Sequence, residues 1–207
     1  MSLKGRVGVF GGTFNPLHNA HIQVALTAMR ACELSEILFV PNGIPPHKRK
    51  LEGVGKEDRF RMVELAIAPH KNVRASRIEI DRDGPSYTID TIKALKDDYA
   101  QGICFIVGAD RLLELDTWKE PDALLRSVPF VLAPRAGVSL ESFDSPPFDC
   151  ATIYPLDMSE VDLSSSWLRE KIHRGEAIEE WVPSAVAEYV RERGLYRNRE
   201  AAPASRS

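Results

Sequence analysis

Short apolar runs separated by amphipathic stretches recur along the first two-thirds of the chain. Val7-Gly8-Val9-Phe10, Ile37-Leu38-Phe39-Val40, Ile103-Cys104-Phe105-Ile106-Val107 and Phe130-Val131-Leu132-Ala133 have the length and the β-branched and aromatic character of strands buried on both faces. Helical spacing of apolar positions falls between and after them, around 20–33, 57–68, 86–99 and 110–127. The alternation predicts an α/β fold, a doubly wound parallel sheet with helices on both faces. Segments 74–81 and 152–155 are expected to add strands. The last third reads as a helical C-terminal segment. Its helices over 164–174 and 183–193 are marked by a serine cap in the first, and by a proline near the first turn and Gly194 beyond the end of the second. Residues 142–149, with Pro146 and Pro147, read as a surface loop. The polar, aperiodic stretch 198–207 reads as a disordered tail, leaving one domain over 1–197.

Composition narrows the function classes. The 207 residues are 43% hydrophobic and 28% charged, as in ordinary globular proteins. A net charge of −3 supplies no general field for nucleic acid, so any polyanion must be held by a local cluster of cations and backbone amides. Cys32, Cys104 and Cys150 are odd in number and widely spaced, which suggests neither a disulfide framework nor a zinc site. No apolar run reaches the length of a membrane span, and the first residues lack the apolar stretch of a signal peptide. A cytoplasmic protein with no membrane partner is the expectation.

The first strand runs into Gly11-Gly12, where the backbone is expected to turn sharply with its N–H groups exposed. Asn19 is placed to cap a helix carrying Ile22, Ala25, Leu26 and Met29 at helical spacing. A helix N-terminus gathers free donors and positive dipole, and His18 and His21, three residues apart there, can face one anion. The stretch reads as a polyphosphate cradle rather than an ordinary turn with solvated histidines. It is not the G-x-G-x-x-G of dinucleotide enzymes, and no G-K-S or G-K-T of a P-loop appears.

A second constellation lies far along the chain. In Ser164-Ser165-Ser166-Trp167-Leu168-Arg169, a helix starting near Ser165 puts hydroxyls and the Arg169 guanidinium on one face, suited to outer phosphates, although by local sequence alone a helix cap with Arg169 in a surface salt bridge is the commoner outcome. Ser86 reads as a cap with Thr88 in the following first turn, where amides and a hydroxyl can receive a carboxylate. The Trp118 indole suits stacking on a flat cationic ring, although a core position is the commoner fate of tryptophan. Asp110 follows the strand end at Gly108, placed for ribose or adenine contacts or for capping the next helix.

GGTFNPLHNAH, residues 11–21, resembles the GGTFDPxHxGH signature of the nicotinate mononucleotide adenylyltransferases, members of the nucleotidyltransferase superfamily that includes class I aminoacyl-tRNA synthetases. Asn15 replaces the usual Asp and Ala20 the usual Gly; neither change is expected to abolish activity. LSSSWLR, residues 163–169, is similar to the family's I-S-S-T-x-I-R element, and the stretch from Pro41 to Lys48 to its P-N-x-x-P-P-H-K element. The resemblance extends to Gly194-Leu195-Tyr196 and implies a Rossmann-like fold. It implies adenylyl transfer from ATP to nicotinate mononucleotide, giving deamido-NAD and pyrophosphate. His18, His21 and Arg169 would be catalytic. ATP would be held by Gly11, Gly12, Thr13, Phe14, Gly108, Asp110, Ser165 and Ser166, with Mg2+ arriving on the ATP. The mononucleotide would meet Asn42, Lys48, Ser86, Tyr87, Thr88, Trp118 and Arg135; Ala136 stands where the family's x-R-P-G element has proline. Rival readings are adenylyl transfer to nicotinamide mononucleotide or phosphopantetheine, and a nucleotide sensor without turnover. A homo-oligomer is left open.

Overall fold

The computed structural model describes residues 2–46, 54–160 and 163–197. Lys48 and the tail 198–207 lie outside the described residues.

Among the described residues six parallel strands form one sheet: β1 (Val7–Gly12), β2 (Glu36–Pro41), β3 (Val73–Ala75), β4 (Ile103–Gly108), β5 (Phe130–Ala133) and β6 (Ile153–Pro155), in the spatial order β3-β2-β1-β4-β5-β6. The fold is Rossmann-like α/β. Strand order reverses between β1 and β4, where such sheets open a ligand crevice at the strands' carboxyl ends.

Side chains alternate across the pleat and so feed two cores. Phe10, Ile37, Phe39, Cys104, Ile106 and Val131 enter one, which α1 (Asn19–Ala31), α2 (Lys56–Ile67), α6 (Ser165–His173) and α7 (Ser184–Glu192) cover with residues such as Ile22, Met62, Leu168 and Val186. Val7, Val9, Leu38, Val40, Phe105, Val107, Phe130 and Leu132 enter the other, beneath α3 (Thr88–Lys96), α4 (Ala109–Leu112) and α5 (Pro121–Ser127).

Several sequence expectations need correction. β1 continues through Gly11 and Gly12, paired with Val40 and Pro41, so the chain turns only after Gly12. The glycines answer a need for space: a Cβ on Gly12 would come within 2.9 Å of the Phe14 ring, and one on Gly11 within 3.2 Å of Phe105. The helix expected over 110–127 is α4, a 3-10 turn over Leu115–Thr117, and α5. Pro121, which lacks an N–H, starts α5 as its first residue instead of continuing a helix, and Glu120 before it takes φ 50°. The strand expected over 74–81 is only the three residues of β3. Residues 142–149 are more than a surface loop: Phe143 and Phe148 are buried in 3-10 turns, with rings 5.0 Å apart edge to face.

Candidate active site

The loop between β1 and α1 packs against the C-terminal helices. His18, rather than Asn19, occupies the cap position of α1, with extended backbone (φ −141°, ψ 171°). Asn19 is the first helical residue; its amide Nδ2 instead donates to the Glu180 carbonyl at 3.2 Å. The His18 backbone N–H donates to His21 Nδ1 at 3.2 Å, and the two imidazoles lie 3.7 Å apart between centroids. With Nδ1 accepting, the neutral His21 ring carries its proton on Nε2. Phe14 meets the His21 ring edge to face at 5.1 Å, and Phe10 lies 6.0 Å away. Phe14, expected among the ATP contacts, thus also seats His21.

Burial pushes the His18 imidazole down to about 3, and the Arg135 cation adds to the shift. His21 is also held well below the ordinary range, first by burial, then by His18 and Arg135. Both rings are neutral donors and acceptors at physiological pH. His18 Nδ1 is buried with no hydrogen-bond partner among the described residues.

The two distant motifs meet. Ser164 caps α6 by accepting from the Trp167 N–H at 3.2 Å, which directs the next turn toward the first loop. Ser165 Oγ donates to the Pro16 carbonyl at 2.9 Å, Arg169 Nη1 donates to the Asn15 carbonyl at 3.0 Å, and Arg169 Nη2 donates to Ser166 Oγ at 3.2 Å. Tyr196 donates to Asn15 Oδ1 at 2.6 Å. Asn15, the departure from the family signature, therefore keeps an accepting oxygen for this bond. Ala20, the other departure, is buried in the first turn of α1.

A cavity of about 610 Å³ joins these residues to the opposite side of the crevice. Gly11, Gly12, Thr13, His18, His21, Ser165, Ser166 and Arg169 line one part of it, and Asn42, Ser86, Tyr87, Thr88 and Trp118 line it too. Gly108, Asp110 and Arg135 belong to the same wall. Arg135 lies 3.9 Å from the Asp110 carboxylate and donates to the Leu163 carbonyl at 3.4 Å, beside the histidines whose basicity it lowers. Tyr87, not Ser86, occupies the cap position of α3. Ser86 is buried and its Oγ accepts from the Gly43 N–H at 2.9 Å, tying the segment before α3 to the loop after β2. Trp118 is half-buried, its ring 6.2 Å from Phe105 edge to face. Every sequence-designated site residue within the described chain thus lines one cavity.

A cytidylyltransferase-like family model matches residues 9–171. Over 196 residues the chain is 41% identical to a probable nicotinate-nucleotide adenylyltransferase of Geobacillus thermodenitrificans, covering 93% of this chain and 86% of that protein. The chain belongs to this family. It is also 36% identical over 195 residues to the nicotinate-nucleotide adenylyltransferase of Bacillus subtilis, covering 92% of this chain and 98% of that one. Its fold matches Plasmodium falciparum nicotinic acid mononucleotide adenylyltransferase complexed with NaAD, with a TM-score of 0.78 over 93% and 97% of the two chains at 18% identity.

Sequence reasoning missed two buried charges. Arg59, fully buried on α2, donates from Nη1 to the Thr13 carbonyl and from Nη2 to the Gly43 carbonyl, each at 2.9 Å. It clasps the loops that follow β1 and β2. Its signal was a cation in register with Val63 and Ala66 on the apolar face of the helix. Glu79, 3% exposed, lies outside regular structure, and nothing in the local pattern marked it.

The donor set tells how a divalent cation would be accommodated. No cluster of three metal-ligating side chains occurs among the described residues; imidazoles, hydroxyls and the Arg169 guanidinium line the cavity at the two converging motifs, and its carboxylates, Glu79, Asp110 and Glu114, do not form such a cluster. Such a site fits a cation that enters on the phosphate oxygens of its nucleotide. No described helix is long and apolar enough to cross a membrane.

Proposed function

We propose that this protein transfers the adenylyl group of ATP to nicotinate mononucleotide, releasing pyrophosphate and forming deamido-NAD. The observation that carries the reading is the convergence of the histidine pair and Arg169 on one cavity that also holds Tyr87 and Trp118. ATP enters with its triphosphate against Gly11, Gly12, Thr13, Phe14, the histidines, Ser165, Ser166 and Arg169, and with its nucleoside toward Gly108 and Asp110. The mononucleotide takes the side of Asn42, Ser86, Tyr87, Thr88 and Trp118, where the indole stacks on the pyridinium ring. Lys48 and Arg135 complete that side in this reading.

The acceptor phosphate attacks the α-phosphorus of ATP; the new P–O bond forms as the bond to the pyrophosphate oxygen breaks. A phosphate monoester has its second pKa near about 6, so the nucleophile is ionised at neutral pH and no general base is required. Catalysis then rests on alignment and on stabilising charge at the transferring and leaving oxygens. His21 donates from Nε2, and Arg169 offers a fork already oriented by Asn15 and Ser166. A bound triphosphate draws the imidazole pKa values upward from their depressed values. Mg2+ on the ATP supplies further neutralisation of the phosphates. A cytoplasmic location belongs to the same reading.

The test is direct: purified protein with Mg2+ and ATP, offered nicotinate mononucleotide, nicotinamide mononucleotide or phosphopantetheine separately, with dinucleotide and pyrophosphate both measured. Deamido-NAD with stoichiometric pyrophosphate is expected from the first, at higher kcat/KM than from either rival. A higher kcat/KM with either rival, or ATP binding with no pyrophosphate, would overturn the reading.

A further inference from the structure

The carboxylate of Glu79 uses its two oxygens on different partners. Oε2 accepts from Asn42 Nδ2 at 2.8 Å, and Oε1 accepts from the Thr91 hydroxyl at 2.6 Å, which itself accepts from Arg82 Nη1 at 3.1 Å. Asn42 Oδ1 accepts from the Thr13 hydroxyl at 3.4 Å. An amide is nearly symmetric in shape, so its orientation is set by its partners. A carboxylate that only accepts forces the Asn42 nitrogen toward Glu79 and its oxygen toward Thr13. One N–H and one lone pair of Asn42 are then left for a ligand in the cavity that Asn42 and Glu79 both line. A donor and an acceptor side by side suit a sugar hydroxyl, which can give one hydrogen bond and take another.

The hydrogen bonds that hold the surrounding backbone do not run through that carboxylate, although its charge also favours the buried Arg59 cation. Arg59 holds the Thr13 and Gly43 carbonyls, and Ser86 holds the Gly43 N–H. Losing the Glu79 carboxylate therefore frees the Asn42 amide and leaves those three hydrogen bonds with their partners, at the cost of one charge partner for Arg59.

We propose that Glu79 is a positioning residue that fixes the Asn42 amide for a ribose hydroxyl of the acceptor mononucleotide. This rests on the adenylyltransferase reading. The test is Glu79→Gln, Asn42→Ala and the double variant, with kcat and KM measured for both substrates. A glutamine has the shape of glutamate but a single accepting oxygen, so it cannot satisfy both Asn42 and Thr91 as before. Glu79→Gln is expected to raise KM for nicotinate mononucleotide about tenfold, equivalent to one hydrogen bond of about 1.4 kcal/mol, with KM for ATP changed less than twofold. In the Asn42→Ala background the same change is expected to add less than twofold. Multiplicative effects, equal rises in both KM values, or no change would overturn the proposal. Should Glu79→Gln fail to fold, Glu79→Asp, whose shorter carboxylate draws back from Asn42, reads the same coupling. A wild-type protein inert toward nicotinate mononucleotide would instead sink the functional reading, so the two failures are distinct.

Discussion

Replacing His18 by asparagine should remove a specific part of the protein's sensitivity to acid. His18 is 4% exposed, and burial with the Arg135 cation pushes it down to about 3, against 6.5 for a free imidazole. The folded protein therefore binds fewer protons at this site than the unfolded chain. Stability from this group is constant above about pH 7, falls as pH drops through 6.5, and levels off only below about pH 3. At pH 5 the protonated imidazole outnumbers the neutral one about thirtyfold in the unfolded chain and is rare in the folded one, so His18 alone costs about 2 kcal/mol between pH 7.5 and 5. His21 shifts in the same direction and adds to the slope. The assay is urea unfolding followed by tryptophan fluorescence at several pH values, for the wild type and His18→Asn. The stability difference between them should move in the variant's favour by about 2 kcal/mol as pH falls from 7.5 to 5. Parallel curves would refute the argument, because they would mean that His18 titrates normally in the folded protein.

Other outcomes follow from the same geometry. Alanine at His21 or Arg169 should lower kcat/KM at least about 100-fold, about 3 kcal/mol of transition-state stabilisation, while leaving the thermal midpoint within a few degrees. Gly43→Ala would put a Cβ 2.1 Å from the Glu79 carbonyl oxygen, so it should destabilise the fold by about 3 kcal/mol or shift the loop after β2, seen as a lowered midpoint in thermal unfolding.

The fold was legible because its strands are buried on both faces and read as continuous apolar runs. The site was legible where one residue type serves one need: histidines at a helix start, serines and an arginine one turn apart. Misreadings came where tertiary contact overrode local preference. Gly11 and Gly12 signalled a turn, but the space they leave is occupied by Phe105 and Phe14. Ser86 looked like a cap, yet its hydroxyl is engaged by Gly43 from another loop. Glu79 could not be found locally, since its partners Asn42 and Thr91 are 37 and 12 residues away.

The most direct measurement is a crystal structure of the protein with a nonhydrolysable ATP analogue. The account predicts one triphosphate with oxygens within hydrogen-bonding distance of both the His18–His21 pair and the Arg169 guanidinium. A triphosphate bound elsewhere, or held by only one of those two groups, would contradict it.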